Sequence, residues 1–208
     1  SEVTIVDGNY PAYSNRCLTI RDSETRAVVE GFSFTNGYAY IQQMGGGVYV
    51  SNATVGILDC RITGNRSASS AAGNGSGGGI GIHNSTNYLI AGCYVAQNTN
   101  LTASSGAGAG IYSLYSKGWI VDCSIVSNTQ AGNGGYGAGL YVRANSGSEV
   151  TVSNCFIAYN VAKGTDGGGA YLYGGTATHC TFLGNRARTG GGGVPSGGGP
   201  ARPAEGRP

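Results

Sequence analysis

Charge is scarce in this sequence. Only 11% of its 208 residues are Asp, Glu, Lys or Arg, against about 25% in ordinary globular domains. The surface must therefore take its polarity from Asn, Ser, Thr and Tyr. The net charge of +2 gathers into no basic cluster before the last few residues, so the electrostatic footprint of a nucleic-acid binder is missing. No apolar run approaches the roughly 18 residues that mark a membrane-crossing helix. No stretch keeps apolar residues at helical spacing over about 11 positions, which excludes a helical bundle. Proline is rare, at 5 residues, and glycine, although it numbers 40, follows no Gly-X-Y period, so collagen is excluded. The two histidines, His83 and His179, fall at unrelated places and suggest neither a Ser–His pair nor a metal site.

What is present is a repeat. Five of the six cysteines open the same pattern, Cys-x-apolar-x-x-Asn. The copies run Cys60 to Asn65, Cys93 to Asn98, Cys123 to Asn128, Cys155 to Asn160 and Cys180 to Asn185. Successive cysteines are 33, 30, 32 and 25 residues apart. A second motif, small-Gly-aliphatic-Tyr, keeps the same phase. It reads Gly-Gly-Val48-Tyr49, Gly-Gly-Ile80-Gly81, Ala-Gly-Ile111-Tyr112, Ala-Gly-Leu140-Tyr141, Gly-Gly-Ala170-Tyr171 and Gly-Gly-Val194-Pro195. The segments between motifs are short and rich in β-branched and aromatic residues, broken by Gly, Asn and Ser. Each repeat therefore reads as two or three short strands. A unit that small cannot bury its own apolar face, so neighbours must stack. The fold expected is an all-β, right-handed parallel β-helix of about six coils over residues 1–194, with a disordered Gly/Pro/Arg-rich tail over 195–208.

Alternation along each strand assigns the interior. The inward pairs are Val48/Val50, Ile80/Ile82, Ile111/Ser113, Leu140/Val142 and Ala170/Leu172. The five repeat cysteines also point inward, followed by Ile62, Val95, Ile125, Ile157 and Phe182 and preceded by Ile57, Ile90, Ile120, Val152 and Ala177. The step of three before each cysteine breaks alternation. It predicts a bend at Asp59, Gly92, Asp122, Asn154 and His179, facing solvent. Equivalent residues then pile up about 4.8 Å apart as a thiol column, an aliphatic column and an Asn column. Asn suits such a turn because it tolerates the left-handed region and its amide bonds to the next Asn above. Cys17 stands outside the column with no obvious partner.

These paired motifs resemble the repeats of bacterial polymorphic outer membrane proteins, within the pectate-lyase-like right-handed β-helix superfamily. Phe182-Leu-Gly-Asn185 with Gly192-Gly193-Val194 is the nearest copy, and Val29-Glu-Gly31-Phe32-Ser-Phe34-Thr-Asn36-Gly37 is similar to a coil of secreted β-helix proteins. The resemblance spans residues 3–194. It implies a secreted or cell-surface, structural or adhesive repeat protein that binds glycan or another surface through one face, and a segment of a longer solenoid whose coil ends stack on neighbouring coils or chains.

Two groups carry the chemistry. Tyr49, Tyr112, Tyr141 and Tyr171 alternate with inward aliphatics and are expected to face outward as a column with a gap at Gly81. Such a strip either stacks on sugar rings or supports the sheet by packing on itself. The alternative function is a carbohydrate-active enzyme, a polysaccharide lyase or glycoside hydrolase. It needs clustered carboxylates for Ca²⁺, or a close carboxylate pair. The ten acids are mostly isolated, and Asp59, Arg61, Lys117 and Asp122 form the one candidate catalytic group. The thiol column is read as buried small hydrophobes, because a straight file lacks the tetrahedral arrangement of a zinc site. No metal site and no resident cofactor are expected, with Ca²⁺ reserved for the lyase alternative.

Overall fold

The computed structural model describes residues 4–23, 26–40, 44–69, 76–103, 106–144, 149–164 and 166–188. The described residues hold strands and turns and no helix. Four strands make each coil, one more than the sequence pattern suggested, and all inter-coil pairing is parallel. The first sheet has six strands: Leu18–Arg21, Val48–Ser51, Ile80–His83, Ile111–Leu114, Leu140–Arg143 and Ala170–Tyr173. In the coil that starts at Val48, the chain continues through Val55–Leu58 in the second sheet, Arg61–Thr63 in the third and Arg66–Ala68 in the fourth. The fourth strand was missed because its copies shrink to two residues, as in Thr99–Asn100 and Thr129–Gln130. The expected tail over 195–208, and the last copy of the glycine motif before it, Gly192-Gly193-Val194, lie outside the described residues.

The register stacks like on like. Ile80 pairs with Val48 and Ile111, and Ile111 with Leu140. The expected inward pairs are all buried, from 0% to 6% exposed. Cys60, Cys93, Cys123 and Cys155 are buried, and Cys180 closes the file half-buried. Ser113, the polar exception among the inward pairs, has a physical reason. Tyr88 in the second sheet also points inward and is fully buried, and its hydroxyl lies 3.0 Å from the Ser113 hydroxyl. Above it stands Gly118, where a Cβ would come within 2.6 Å of the Tyr88 ring. The three residues thus make one solution: a large ring, a missing side chain beside it and a hydroxyl partner across the core.

From the coil of Val48 onward, two of the four corners are a fixed two residues long. Between second and third sheets the chain turns at Asp59, Gly92, Asp122, Asn154 and His179, all left-handed with φ from 49° to 62°. The predicted bend is therefore correct, and these residues face solvent. Between third and fourth sheets the left-handed residue is Asn36, Gly64, Gln97, Ser127, Tyr159 or Gly184, with φ from 52° to 68°. Here the sequence reading needs correction. The repeat Asn is not itself left-handed; the residue before it is, and this throws the Asn side chain into the core. The fourth corner, from the fourth sheet to the next coil's first sheet, holds the long connections, for example Asn100 to Ile111 and Ala162 to Ala170.

Candidate functional site

Burial of an amide column demands full hydrogen bonding, and the Asn column supplies it. Asn128 Oδ1 accepts from the Asn98 backbone N–H at 3.0 Å and from Asn98 Nδ2 at 3.1 Å. Asn128 Nδ2 donates to the Val95 carbonyl at 3.0 Å and to Asn160 Oδ1 at 3.0 Å. The same bonds recur from Asn65 to Asn185. The geometry also explains why the glycine motif keeps phase with the Asn motif. A Cβ on Gly47, Gly79, Gly110, Gly139 or Gly169 would sit 2.8–2.9 Å from the Nδ2 of the Asn in its own coil. The glycine motif is the socket for the amide column. Cys17 has a partner after all. Its Sγ donates to the Thr35 carbonyl at 3.2 Å and to Asn65 Oδ1 at 3.6 Å, where the amide column ends. Burial pushes this thiol up to about 11 from 9.0, the backbone hydrogen bonds opposing it.

The tyrosine column forms in register but divides. Tyr49, Gly81, Tyr112, Tyr141 and Tyr171 are successive partners in the first sheet. Tyr112 and Tyr141 stack at 5.1 Å with 14° between planes, and Tyr141 and Tyr171 at 5.4 Å with 6°. The faces of these rings are thus spent on one another, and their edges and hydroxyls point away. Tyr112 is only 6% exposed, contrary to its expected outward exposure. The gap at Gly81 is a crossing point. A Cβ there would lie 2.6 Å from the Gly45 nitrogen and 2.8 Å from the Met44 Cβ, so the preceding coil's loop runs over it. Tyr49, cut off beyond that loop, carries the Arg16 guanidinium 4.6 Å above its ring.

At the far end of the column lies an open groove of about 280 Å³, lined by Tyr136, Tyr141, Arg143, Tyr171 and Tyr173. Tyr136 leans on Tyr171 at 5.0 Å and 47°, and Tyr173 is 49% exposed. Arg143 and Tyr173 are register partners two residues beyond Tyr141 and Tyr171, so strand alternation alone would have placed them outward. Tyr136 lies in a long connection, where no period operates. Burial raises the Tyr141 phenol, with Arg143 opposing and Tyr171 reinforcing the shift. The groove offers phenol hydroxyls, ring edges and one guanidinium.

Asp59, Arg61, Lys117 and Asp122 do not form a comparable cleft. Asp59 and Asp122 occupy one corner column, two coils apart with Gly92 between them, and a Cβ on Gly92 would meet Asp59 Oδ1. The Asp122 carboxylate accepts from Asn154 Nδ2. Arg61 lies 4.6 Å over the Tyr94 ring. Lys117 opens a second-sheet strand and is exposed. Among the described residues, no three His, Cys, Asp or Glu side chains are grouped to hold a metal ion.

The stacked parallel strands, with equivalent residues in file, agree with the family comparison. Residues 2–198 match the family described as right handed beta helix region. The chain belongs to this family. No curated protein and no solved structure matches this β-helix. Among the described residues no helix is long and apolar enough to cross a membrane.

Proposed function

We propose that this β-helix is a secreted or cell-surface protein of the pectate-lyase-like superfamily, with bacterial polymorphic outer membrane protein-type repeats. It serves as a structural, adhesive solenoid that binds polysaccharide or cell-surface glycan, and its coil ends abut neighbouring coils or chains. The groove of Tyr136, Tyr141, Arg143, Tyr171 and Tyr173 carries this reading. A glycan presents hydroxyls to hydroxyls and a C–H face to an aromatic ring, and an amphipathic phenol meets both needs. Tyr173 is the ring best placed to lie flat against a sugar, because it is half exposed while the column rings cover one another.

Retention on immobilised neutral and acidic polysaccharides tests the proposal. The wild type should be retained by at least one of them. Tyr173→Ala and Arg143→Ala should each weaken binding about tenfold, equivalent to about 1.4 kcal/mol, with unchanged thermal stability. Absence of retention on every polysaccharide, or variants that bind like the wild type, would refute it. The same incubations should yield no unsaturated products and no new reducing ends. Product formation abolished by Asp122→Ala would overturn the non-enzymatic reading.

A further inference from the structure

The connection that carries Tyr136 also holds a reactive dipeptide, Asn133-Gly134. Asn133 is exposed. Its backbone N–H donates to the Ala103 carbonyl at 3.0 Å. Among the described residues, neither its side-chain amide nor the Gly134 N–H has a hydrogen-bond partner. The chain on either side is pinned. A Cβ on Gly132 would run into the Thr102 carbonyl, and one on Gly135 into the Gly106 carbonyl and the Gln130 side chain. Two packed glycines thus hold up a tip whose amide and following nitrogen are unengaged.

We infer that Asn133 is a self-modification site, where the chain converts its own amide to a carboxylate and so loosens the connection to Tyr136. The Gly134 nitrogen loses its proton to hydroxide and attacks Asn133 Cγ. The new N–Cγ bond closes a five-membered succinimide, the Cγ–Nδ2 bond breaks, and the side-chain nitrogen leaves as ammonia with a proton from water. Water then opens the ring. Attack at Cγ leaves aspartate. Attack at the main-chain carbonyl carbon leaves isoaspartate, whose backbone runs through the former side chain and is one carbon longer. Nothing is oxidised or reduced. Glycine makes the step accessible, because no side chain shields its nitrogen or limits its dihedrals. The same dipeptide at Asn36-Gly37 is locked. Gly37 is buried, its N–H donates to Asn65 Oδ1 at 2.8 Å, and Asn36 Nδ2 donates to Asp7 Oδ2 at 3.2 Å. Reaction there must first break into the amide column. Tyr136, three residues beyond Asn133, is bridged to Ala107 and Asp166, and its carbonyl accepts from the Gly108 N–H at 3.1 Å. With Gly132 and Gly135 pinned, the longer isoaspartyl backbone strains this bridge.

Ageing the full chain in warm, mildly alkaline buffer tests this. Trypsin cuts at Arg26, Arg61, Lys117 and Arg143 and so puts Asn36 and Asn133 on separate peptides. Tandem mass spectrometry then locates each amide-to-acid change, and hydrogen exchange of the intact chain reads the Gly108 amide. In the folded chain Asn133 should convert, to a mixture of aspartate and isoaspartate, about tenfold or more faster than Asn36, whose reaction waits on the loss of a buried hydrogen bond. In urea the two should converge. The Gly108 amide should exchange faster in the aged wild type than in the fresh one, and equally in fresh and aged Asn133→Ala. Asn133 still an amide when Asn36 has converted, equal rates at both sites in the folded chain, or a Gly108 amide indifferent to conversion would overturn the inference.

Discussion

Removing one amide from the middle of the buried column should be among the most damaging single changes this molecule can suffer. In Asn128→Ala four hydrogen bonds disappear: two accepted from Asn98 and two donated, to Val95 and Asn160. The Asn128 backbone N–H survives as donor to Asn160 Oδ1, so that oxygen keeps a partner. The Asn98 backbone N–H and one Asn98 amide hydrogen lose theirs inside a core where Asn98 is 0% exposed. At about 1 kcal/mol net per bond, with larger costs for orphaned buried groups, the loss is about 3–5 kcal/mol. At the column's end Asn185 makes three such bonds and is half-buried, so Asn185→Ala should cost about 1–3 kcal/mol. On the surface, Asn84 donates to Asn52 in an exposed corner ladder and is left-handed with φ 48°, so Asn84→Ala should cost about 1 kcal/mol, from backbone strain rather than from orphaned buried groups. Urea denaturation gives the ranking, and hydrogen exchange of the Asn98 amide gives the local effect, since solenoids unfold partly by neighbouring coils. An Asn128→Ala protein within about 1 kcal/mol of wild type, or an Asn98 amide still protected, would refute the reasoning.

Three further outcomes follow from the packing. Gly110→Ala should destabilise by about 1–3 kcal/mol, because its Cβ would meet the Gly139 carbonyl at 2.4 Å and Asn128 Nδ2 at 2.9 Å; Gly56→Ala should be tolerated, since only the movable Arg26 guanidinium lies near, at 3.2 Å. Ser113→Ala orphans the buried Tyr88 hydroxyl and should cost about 1–3 kcal/mol, most of it recovered in the Ser113→Ala/Tyr88→Phe double variant when both are melted side by side. In alkali the chain should weaken. The Cys17 thiol is raised from 9.0 to about 11 by burial. A raised thiol contributes its full stability below the unfolded value of 9.0 and loses it as pH climbs through the folded value. The melting temperature should therefore fall from pH 9 towards pH 11, less steeply in Cys17→Ala; parallel curves would exclude the Cys17 contribution.

The columns were legible because alternation and period are local properties of the chain. Val48 with Val50, the Cys file and the left-handed bend at Asp59 all follow from counting along one strand. Where reading failed, the cause lay in another coil. Tyr88 was given no place by the sequence pattern, because its burial depends on Gly118 beside it and Ser113 across from it. Gly81 looks like a missing tyrosine until the chain at Met44 and Gly45 is laid over it. The amide column was named correctly, but its burial depends on the left-handed residue before each Asn, and Gly64, Gln97, Ser127, Tyr159 and Gly184 share no side-chain chemistry that would betray it. In the groove, Arg143 and Tyr173 were available to the alternation argument. Tyr136 was not, because it belongs to a connection of irregular length.

Irregular length is confined to two vertical edges of the molecule, the corner from first to second sheet, which runs from Gly174 alone to residues 144–149, and the longer connections between coils. The corners at Asp59 and at Gly64 admit no extra residue, since each is a fixed pair whose second member plugs into the core. The connections leaving Ala68, Asn100, Gln130 and Ala162 obey no such rule. Insertions and deletions there leave the winding untouched, as beads change on a cord whose weave does not. This seam is where sequence can drift fastest and where foreign peptides should be grafted, several in a row, at heights set by the strand spacing.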